Sequence, residues 1–303
     1  MESMAFATMA GSSAMGIIPT FLADDAWAKC HGDPGEGNQP MKANPPPMAK
    51  DSVELSESER RQKAHYDSLS DSYNSSYSDP WSIRYRDDFF HASLFDGVDL
   101  SGKKVLDAMC GYGDMTSYLL SRGAVVQGLD ISESQVRAYT ERWGCEGICA
   151  SMLSSGLPSE EFDVIAICGA LHHLHPHIDA GMEEIHRLLK PGGVLCFVEP
   201  HSHSILEWPR KLWYSLDPLF EENEDSVNVD KLEATFAEHF NPRRIRYGGG
   251  LAYLLVLNSM VFRIPHQWKP YYSSFLLWLE SITNKLTVRP FSLYVTAQWT
   301  KNR

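Results

Sequence analysis

Between residues 104 and 199 short apolar runs alternate with amphipathic stretches. Residues 104–109 read as a buried strand, 114–122 as a helix and 125–130 as a second strand. Ser132-Glu133-Ser134-Gln135 has the form of a capping box, and the helix it opens is expected to stop near Gly144. A short strand near 146–150, a strand over 162–168, a helix over 178–190 and a strand over 193–199 complete the series. Strands that alternate with helices predict a parallel sheet covered on both faces, with ligands held beyond the carboxyl ends of the strands. Asp107, Asp130, Cys168 and Glu199 end strands on that edge.

Past residue 200 the pattern changes. Trp208, Trp213, Tyr214 and Phe220 crowd residues 201–220, and an acidic run, 221–225, follows as a solvated loop. Leu232, Phe236 and Phe240 recur every four residues, which predicts one apolar helix face. Residues 243–247 and 291–299 are the remaining strand candidates, with an aromatic insertion over 248–288 between them. Residues 1–50, rich in Met, Gly, Ala and Pro, read as a disordered extension, and 51–303 as one domain. Within it, 51–90 is expected to act as an N-terminal lid, and 201–240 and 248–288 as covers over the carboxyl edge.

The stretch Val105-Leu106-Asp107-Ala108-Met109-Cys110-Gly111-Tyr112-Gly113-Asp114 is a strand running into a glycine turn, and Asp130 closes the next strand. A glycine turn lets backbone approach a ligand, and a strand-terminal acid can accept hydrogen bonds from ribose hydroxyls. Thr116 stands where the dinucleotide fingerprint has its third glycine, and Asp107 would repel a pyrophosphate. The same carboxylate suits a cationic nucleoside such as S-adenosylmethionine (SAM).

These residues carry a family resemblance. Val-Leu-Asp-x-x-Cys-Gly-x-Gly followed by Gly128-Leu129-Asp130-Ile131-Ser132 resembles the first two motifs of the class I SAM-dependent methyltransferases. Phe162-Asp163-Val164-Ile165, Leu171-His172-His173-Leu174 and Leu188-Leu189-Lys190-Pro191-Gly192-Gly193-Val194-Leu195 resemble that family's fourth strand, the loop after it and the turn into its fifth strand. The resemblance covers roughly residues 62–200 and lies nearest the small-molecule branch that includes the ubiquinone/menaquinone-type enzymes. It implies a Rossmann-like, seven-stranded, mostly parallel α/β sheet and SAM as cofactor. It further implies that Asp130 binds the ribose, Ile131 packs on the adenine and Gly111 and Gly113 permit close approach. Asp107 would support the turn or bind the ammonium through water, and Cys168 would lie by the methionine portion. Ser151 and Met152 fall where the family often places an acid on the adenine amine, and no acid stands there. Met109 replaces a usual glycine and would line the site or displace the loop. The phrase around His65-Tyr66-Asp67 and Tyr73 resembles a lid helix, in which Tyr66 and Tyr73 would face the sulfonium or simply pack on the domain.

Composition narrows the acceptor. The net charge of −12 argues against a nucleic-acid substrate. Six cysteines show no disulfide framework, no apolar stretch is long enough to span a bilayer and the first residues lack a basic leader, so a cytoplasmic protein is expected. Methyl transfer needs mainly positioning, so few catalytic groups are expected. His173 is the candidate general base and Glu199 a candidate stabiliser of charge or orienter of a hydroxyl, each with a structural alternative. His172, His201, Trp208, Trp213 and Tyr214 are candidate substrate contacts. The post-strand histidines have no partner carboxylate in the pattern, so no metal is expected. The aromatic segments suggest a hydrophobic, lipid-like, prenyl or natural-product acceptor. Arg263, Lys269, Lys285 and Arg289 beside them suggest peripheral membrane contact. The rival readings are a SAM-fold enzyme of other chemistry, such as cyclisation, and a non-catalytic scaffold that keeps the fold.

Overall fold

The computed structural model describes residues 57, 59–61, 63–64, 77–202, 204–205, 226–259, 261–286 and 288–303. All fall in one unit, residues 43–303. The expectations for residues 1–50, Tyr66, Tyr73, Trp208, Trp213 and Tyr214 lie outside the described residues.

Seven strands form one sheet: β1 (Lys104–Ala108), β2 (Val125–Asp130), β3 (Glu146–Cys149), β4 (Phe162–Cys168), β5 (Leu189–Pro200), β6 (Phe240–Gly248) and β7 (Tyr294–Lys301). Their order is β3-β2-β1-β4-β5-β7-β6, with β7 antiparallel to both neighbours and the other pairings parallel. This is the mostly parallel α/β sheet that the alternation implies. The order steps outward from β1 in both directions, so the loops after β1 and β4 diverge and open a crevice between them.

The helices are α1 (Pro80–Tyr85), α2 (Thr116–Ser121), α3 (Glu133–Trp143), α4 (Ile178–Leu188), α5 (Val229–Thr235) and α6 (Lys269–Thr283). α3 begins where the capping box places it: the Ser132 side chain accepts from the Gln135 N–H at 3.3 Å, and left-handed Gly144 ends the helix. α1 runs on through a π-helical turn, Arg86–His91, into Ala92–Leu94.

Because side chains alternate along a strand, the central strands feed two cores. Leu106, Ile165, Ile167, Leu195 and Phe197 pack one face with Met182, Ile185 and Leu188 of α4. Val105, Val164, Ala166, Cys196 and Val198 pack the other with Tyr85, Phe90, Leu94, Val256, Leu276 and Leu277. The insertion between β6 and β7 therefore supplies core beneath the sheet together with α1. Two buried polar clusters fasten it there. Lys269 Nζ donates to Asp79 at 2.5 Å and to the Ser82 hydroxyl at 2.8 Å, and Glu280 accepts from the Ala252 and Tyr253 N–H groups and from the Tyr85 hydroxyl.

Three local expectations shift. α4 ends at Leu188 and β5 begins at Leu189, because Leu189 pairs with Phe162 ahead of a bulge in the ladder. The apolar repeat Leu232, Phe236, Phe240 outlasts its helix: α5 stops at Thr235, and Phe240 opens β6 while staying in the core. The insertion is helical and packs with α1, and among the described residues none of it lines the crevice at the carboxyl edge.

Candidate active site

The crevice lies across the carboxyl ends of β3, β2, β1 and β4 and encloses about 1200 Å³ including its mouth. Its floor is the turn after β1. Gly111 and Gly113 hold left-handed φ values of 52° and 77°, and a Cβ on Gly113 would collide with the Trp143 indole and the Thr116 hydroxyl. The indole N–H donates to the Tyr112 carbonyl oxygen at 2.8 Å and fixes the turn from α3. Met109 keeps the left-handed backbone a glycine would adopt, with φ 56°, at a cost of roughly 1–2 kcal/mol. Its side chain packs on the core and lines the crevice without filling it.

Four carboxylates line the crevice, Glu59, Asp107, Asp114 and Asp130, and among the described residues no Lys or Arg does. Asp130 ends β2 with both oxygens engaged by backbone: the Gly111 N–H donates to Oδ2 and the Ser132 N–H to Oδ1, each at 2.9 Å. Asp107 is 3% exposed and accepts from the Thr116 hydroxyl at 2.6 Å. Burial pushes its carboxyl up to about 7; the Thr116 hydrogen bond opposes this, and the neighbouring Asp114 and Asp130 reinforce it. Asp114 meets the buried Arg86 guanidinium at 3.5 Å, which ties the turn to the segment after α1.

Met109, Gly111, Ile131, Ser151, Met152, Cys168 and His173 also line the crevice, whereas Gly113 lies behind the turn. Burial drives the Cys168 thiol up to about 12, so it is no thiolate nucleophile near neutral pH. His172, Glu199 and His201 are not brought to the crevice wall. Glu199, 1% exposed, accepts from the Ala170 N–H at 2.9 Å, the Leu171 N–H at 2.7 Å and the His172 N–H at 3.4 Å, and lies 2.7 Å from His172 Nδ1. That carboxylate staples the loop after β4, and the stapled His172 ring lies 3.9 Å from the His173 ring, centroid to centroid. His201 is buried against Tyr247, 4.9 Å between centroids. Sequence reasoning missed Glu59 and Asp114. Asp114 was legible as an acid in the glycine turn, while Glu59 reaches the site from far upstream and has no local signal.

A separate group, Glu183, His186 and His239, brings its ligand atoms within 4.8 Å of one another at the opposite edge of the sheet, remote from the crevice.

Residues 105–193 match the methyltransferase domain family. An uncharacterized methyltransferase of Synechocystis sp. is 36% identical over 126 residues, 40% of this chain and 58% of that protein. Phthiotriol/phenolphthiotriol dimycocerosates methyltransferase 1 of Mycobacterium ulcerans is 32% identical over 139 residues, 44% of this chain and 50% of that protein. The fatty-acid O-methyltransferase of Mycolicibacterium smegmatis is 30% identical over 135 residues, 43% and 48% of the two chains. The chain thus spans about half the length of the curated relatives it matches. Among solved structures, a [4+2]-cyclase superposes with TM-score 0.54 at 17% identity, covering 80% of this chain and 97% of that one. The N-methyltransferase NodS of Bradyrhizobium japonicum, solved with S-adenosylhomocysteine, gives 0.50 at 13% identity, covering 79% and 99%. The chain therefore shares the fold of these structures, and the crevice is the one its glycine turn builds.

Proposed function

We propose that the protein transfers a methyl group from SAM to a small hydrophobic acceptor. The observation that carries this is the crevice lining: four carboxylates around a glycine turn, which favour a cationic nucleoside over a pyrophosphate. The residues fit SAM in three ways. Asp130 is fixed by two backbone N–H groups at the end of β2 and borders the crevice, where a carboxylate can accept from ribose hydroxyls. The raised carboxyl of Asp107 gains from a neighbouring cation. The glycine turn admits a ligand close to backbone. When bound, SAM supplies an electrophilic methyl on its sulfonium. His173 lines the β4 end of the crevice, which supports assigning it to take a proton from the acceptor, and the Glu199–His172 staple holds its loop.

The acceptors named for the Mycobacterium ulcerans and Mycolicibacterium smegmatis relatives are lipid-like, which supports an aliphatic acceptor here. Titration of the full chain with SAM and S-adenosylhomocysteine, followed by methyl transfer to a panel of fatty and polyketide acceptors, tests the reading. Binding of neither nucleoside overturns it. Binding with no transfer to any acceptor favours the cyclisation rival.

We infer further that α6 meets a bilayer surface. No helix among the described residues is long and apolar enough to cross a membrane. Yet Trp268, Tyr271, Phe275, Trp278, Ile282 and Leu286 are exposed at spacings of three and four, one stripe down α6 and just past its ends. Of the four basic residues beside the stripe, Arg263 and Lys285 are exposed, whereas Lys269 is buried against Asp79 and Arg289 is paired with Asp230. The two exposed bases suit anionic headgroups. Co-sedimentation with phosphatidylserine-containing vesicles is expected, and should be lost when Tyr271, Phe275 and Trp278 become serine. No sedimentation of the parent protein overturns this.

A further inference from the structure

A second cluster of donor atoms sits on the edge of the sheet away from the crevice. Glu183 and His186 stand three residues apart on α4, so they share one face of that helix. Glu-x-x-His is a spacing by which helix bundles hold metal ions. His239 reaches the same place from the turn between α5 and β6. One ligand atom from each of the three residues lies within 4.8 Å of the other two, and among the described residues it is the one such group of His, Cys, Asp or Glu side chains. Packing sets both imidazoles. The His186 ring lies 4.8 Å from the His239 ring and 5.4 Å from the Phe240 ring, and the His239 ring lies 5.6 Å from the Phe236 ring, all edge to face. The His239 backbone is pinned from two sides: its N–H donates to the Phe236 carbonyl oxygen, and its carbonyl oxygen accepts from the Asn302 N–H, each at 2.9 Å. Yet the ring nitrogens of His239 are unsatisfied. Nδ1 is buried without a hydrogen-bond partner, and Nε2 stands 3.6 Å from Glu183 Oε2.

We propose that Glu183, His186 and His239 bind a zinc ion that fastens α4 to the head of β6. Two imidazoles and one carboxylate suit Zn²⁺, whereas Mg²⁺ and Ca²⁺ favour oxygen ligands alone. Zinc bonds of about 2.0–2.1 Å put tetrahedral donors about 3.3 Å apart. The 3.6 Å between His239 and Glu183 is near that spacing, and Glu183, exposed on its helix, has room to rotate and close the set. Three protein ligands leave the fourth position to water. Lys301 opposes a cation here, since its charge acts on His186. Its ammonium donates to the Leu189 carbonyl oxygen at 2.8 Å and faces Glu160 at 3.9 Å, and Glu183 brings a compensating negative charge to the site itself. The clasp joins segments far apart in the chain, His186 ahead of β5 and His239 after α5, so it stabilises the fold by closing a long loop. None of its three residues lines the crevice, so it stands apart from the nucleoside site.

The test is zinc titration of the full chain after chelator treatment and dialysis, read by calorimetry and by thermal unfolding. The parent protein should take up zinc with an affinity that depends on the three side chains, and its Tm should rise when zinc is in excess. Glu183→Ala removes only an exposed carboxylate and should weaken zinc binding by at least about tenfold, as should His186→Ala. Magnesium at the same concentration should leave the Tm where it was. No zinc uptake by the parent protein overturns the proposal, as does an equal rise in Tm with magnesium. Equal zinc affinity in the parent and in a Glu183→Ala protein with parental circular dichroism marks an adventitious ion only, and overturns it too.

Discussion

Asp130 and Glu199 occupy equivalent places, each a carboxylate at the carboxyl end of a parallel strand, yet the fold uses them in opposite ways. Asp130 accepts one backbone N–H on each oxygen and still borders the crevice. Glu199 accepts three backbone N–H groups, pairs with His172 and is withdrawn from the crevice altogether. The difference lies in the next loop. After β2 the chain enters α3 at once through the Ser132 cap, so the acid stays at the surface of the crevice. After β4 the chain folds back over the neighbouring strand in a 3₁₀ turn, Leu171–Leu174, whose N–H groups need an acceptor, and β5 supplies it. A strand-terminal acid is thus a ligand group or a loop staple according to how many unsatisfied amides the adjacent connection brings to it.

Mutation separates the two roles. Glu199→Ala strands buried donors at Ala170, Leu171 and His172, and should cost about 3 kcal/mol. In thermal unfolding that is a fall in Tm of roughly 6–12 °C, with S-adenosylhomocysteine affinity nearly parental well below the new Tm. Asp130→Ala should show the reverse emphasis: affinity weaker by at least about tenfold, since a hydrogen bond to a charged group is worth roughly 1.5–3 kcal/mol, with a smaller drop in Tm from the two amides released. Parental affinity in Asp130→Ala, or a collapsed affinity in a folded Glu199→Ala protein, would erase the contrast.

Asp107 sharpens the comparison with a smaller, graded effect. Burial raises its carboxyl to about 7 in the free protein, whereas a bound ammonium or sulfonium favours the ionised form. Affinity for SAM should therefore hold above about pH 7 and weaken as pH falls below it, by up to about tenfold per unit, with proton release on binding in calorimetry across buffers of different ionisation enthalpy. The sign for the ligand-free fold is opposite: a raised carboxyl contributes its stability in acid and loses it as pH rises from the ordinary value of 3.8 through about 7. Affinity flat from pH 5.5 to 8.5 would show that no cation reaches Asp107.

The parts legible in the sequence are those governed by local periodicity. β2 and β4 fall on the expected residues, and α3 starts and stops at its cap and its left-handed glycine, because side-chain alternation and capping chemistry are written within a few residues. The mostly parallel seven-stranded sheet follows from the same alternation and from the motif resemblance. The parts that were not legible depend on partners distant in the chain. Phe240 continues a helical repeat, but pairing with Lys301 on β7 makes it a strand residue. Glu199 is acidic at the active edge, and only its four donors show that it faces the loop. The aromatic insertion reads equally well as cover or core, and contacts with Tyr85 and Phe90 from α1 and the turn after it decide for core. Asp107, Asp130, Met109 and His173 were visible as candidates from motif order, whereas Glu59 had no such marker.

The insertion leaves and rejoins the sheet at one point. Gly248 and Tyr294 are paired across β6 and β7, and the Leu293 N–H donates to the Gly248 carbonyl oxygen at 2.8 Å. Everything between them is a detour from a hairpin whose register is set without it. No carboxylate of the crevice travels with it, so chain can be lengthened or exchanged on its exposed side while both strands keep their alignment, provided that Ala252, Val256, Leu276 and Leu277 still fill the core against α1. A lineage or a protein engineer can thus re-tailor the solvent side of this detour while leaving the nucleoside chemistry alone.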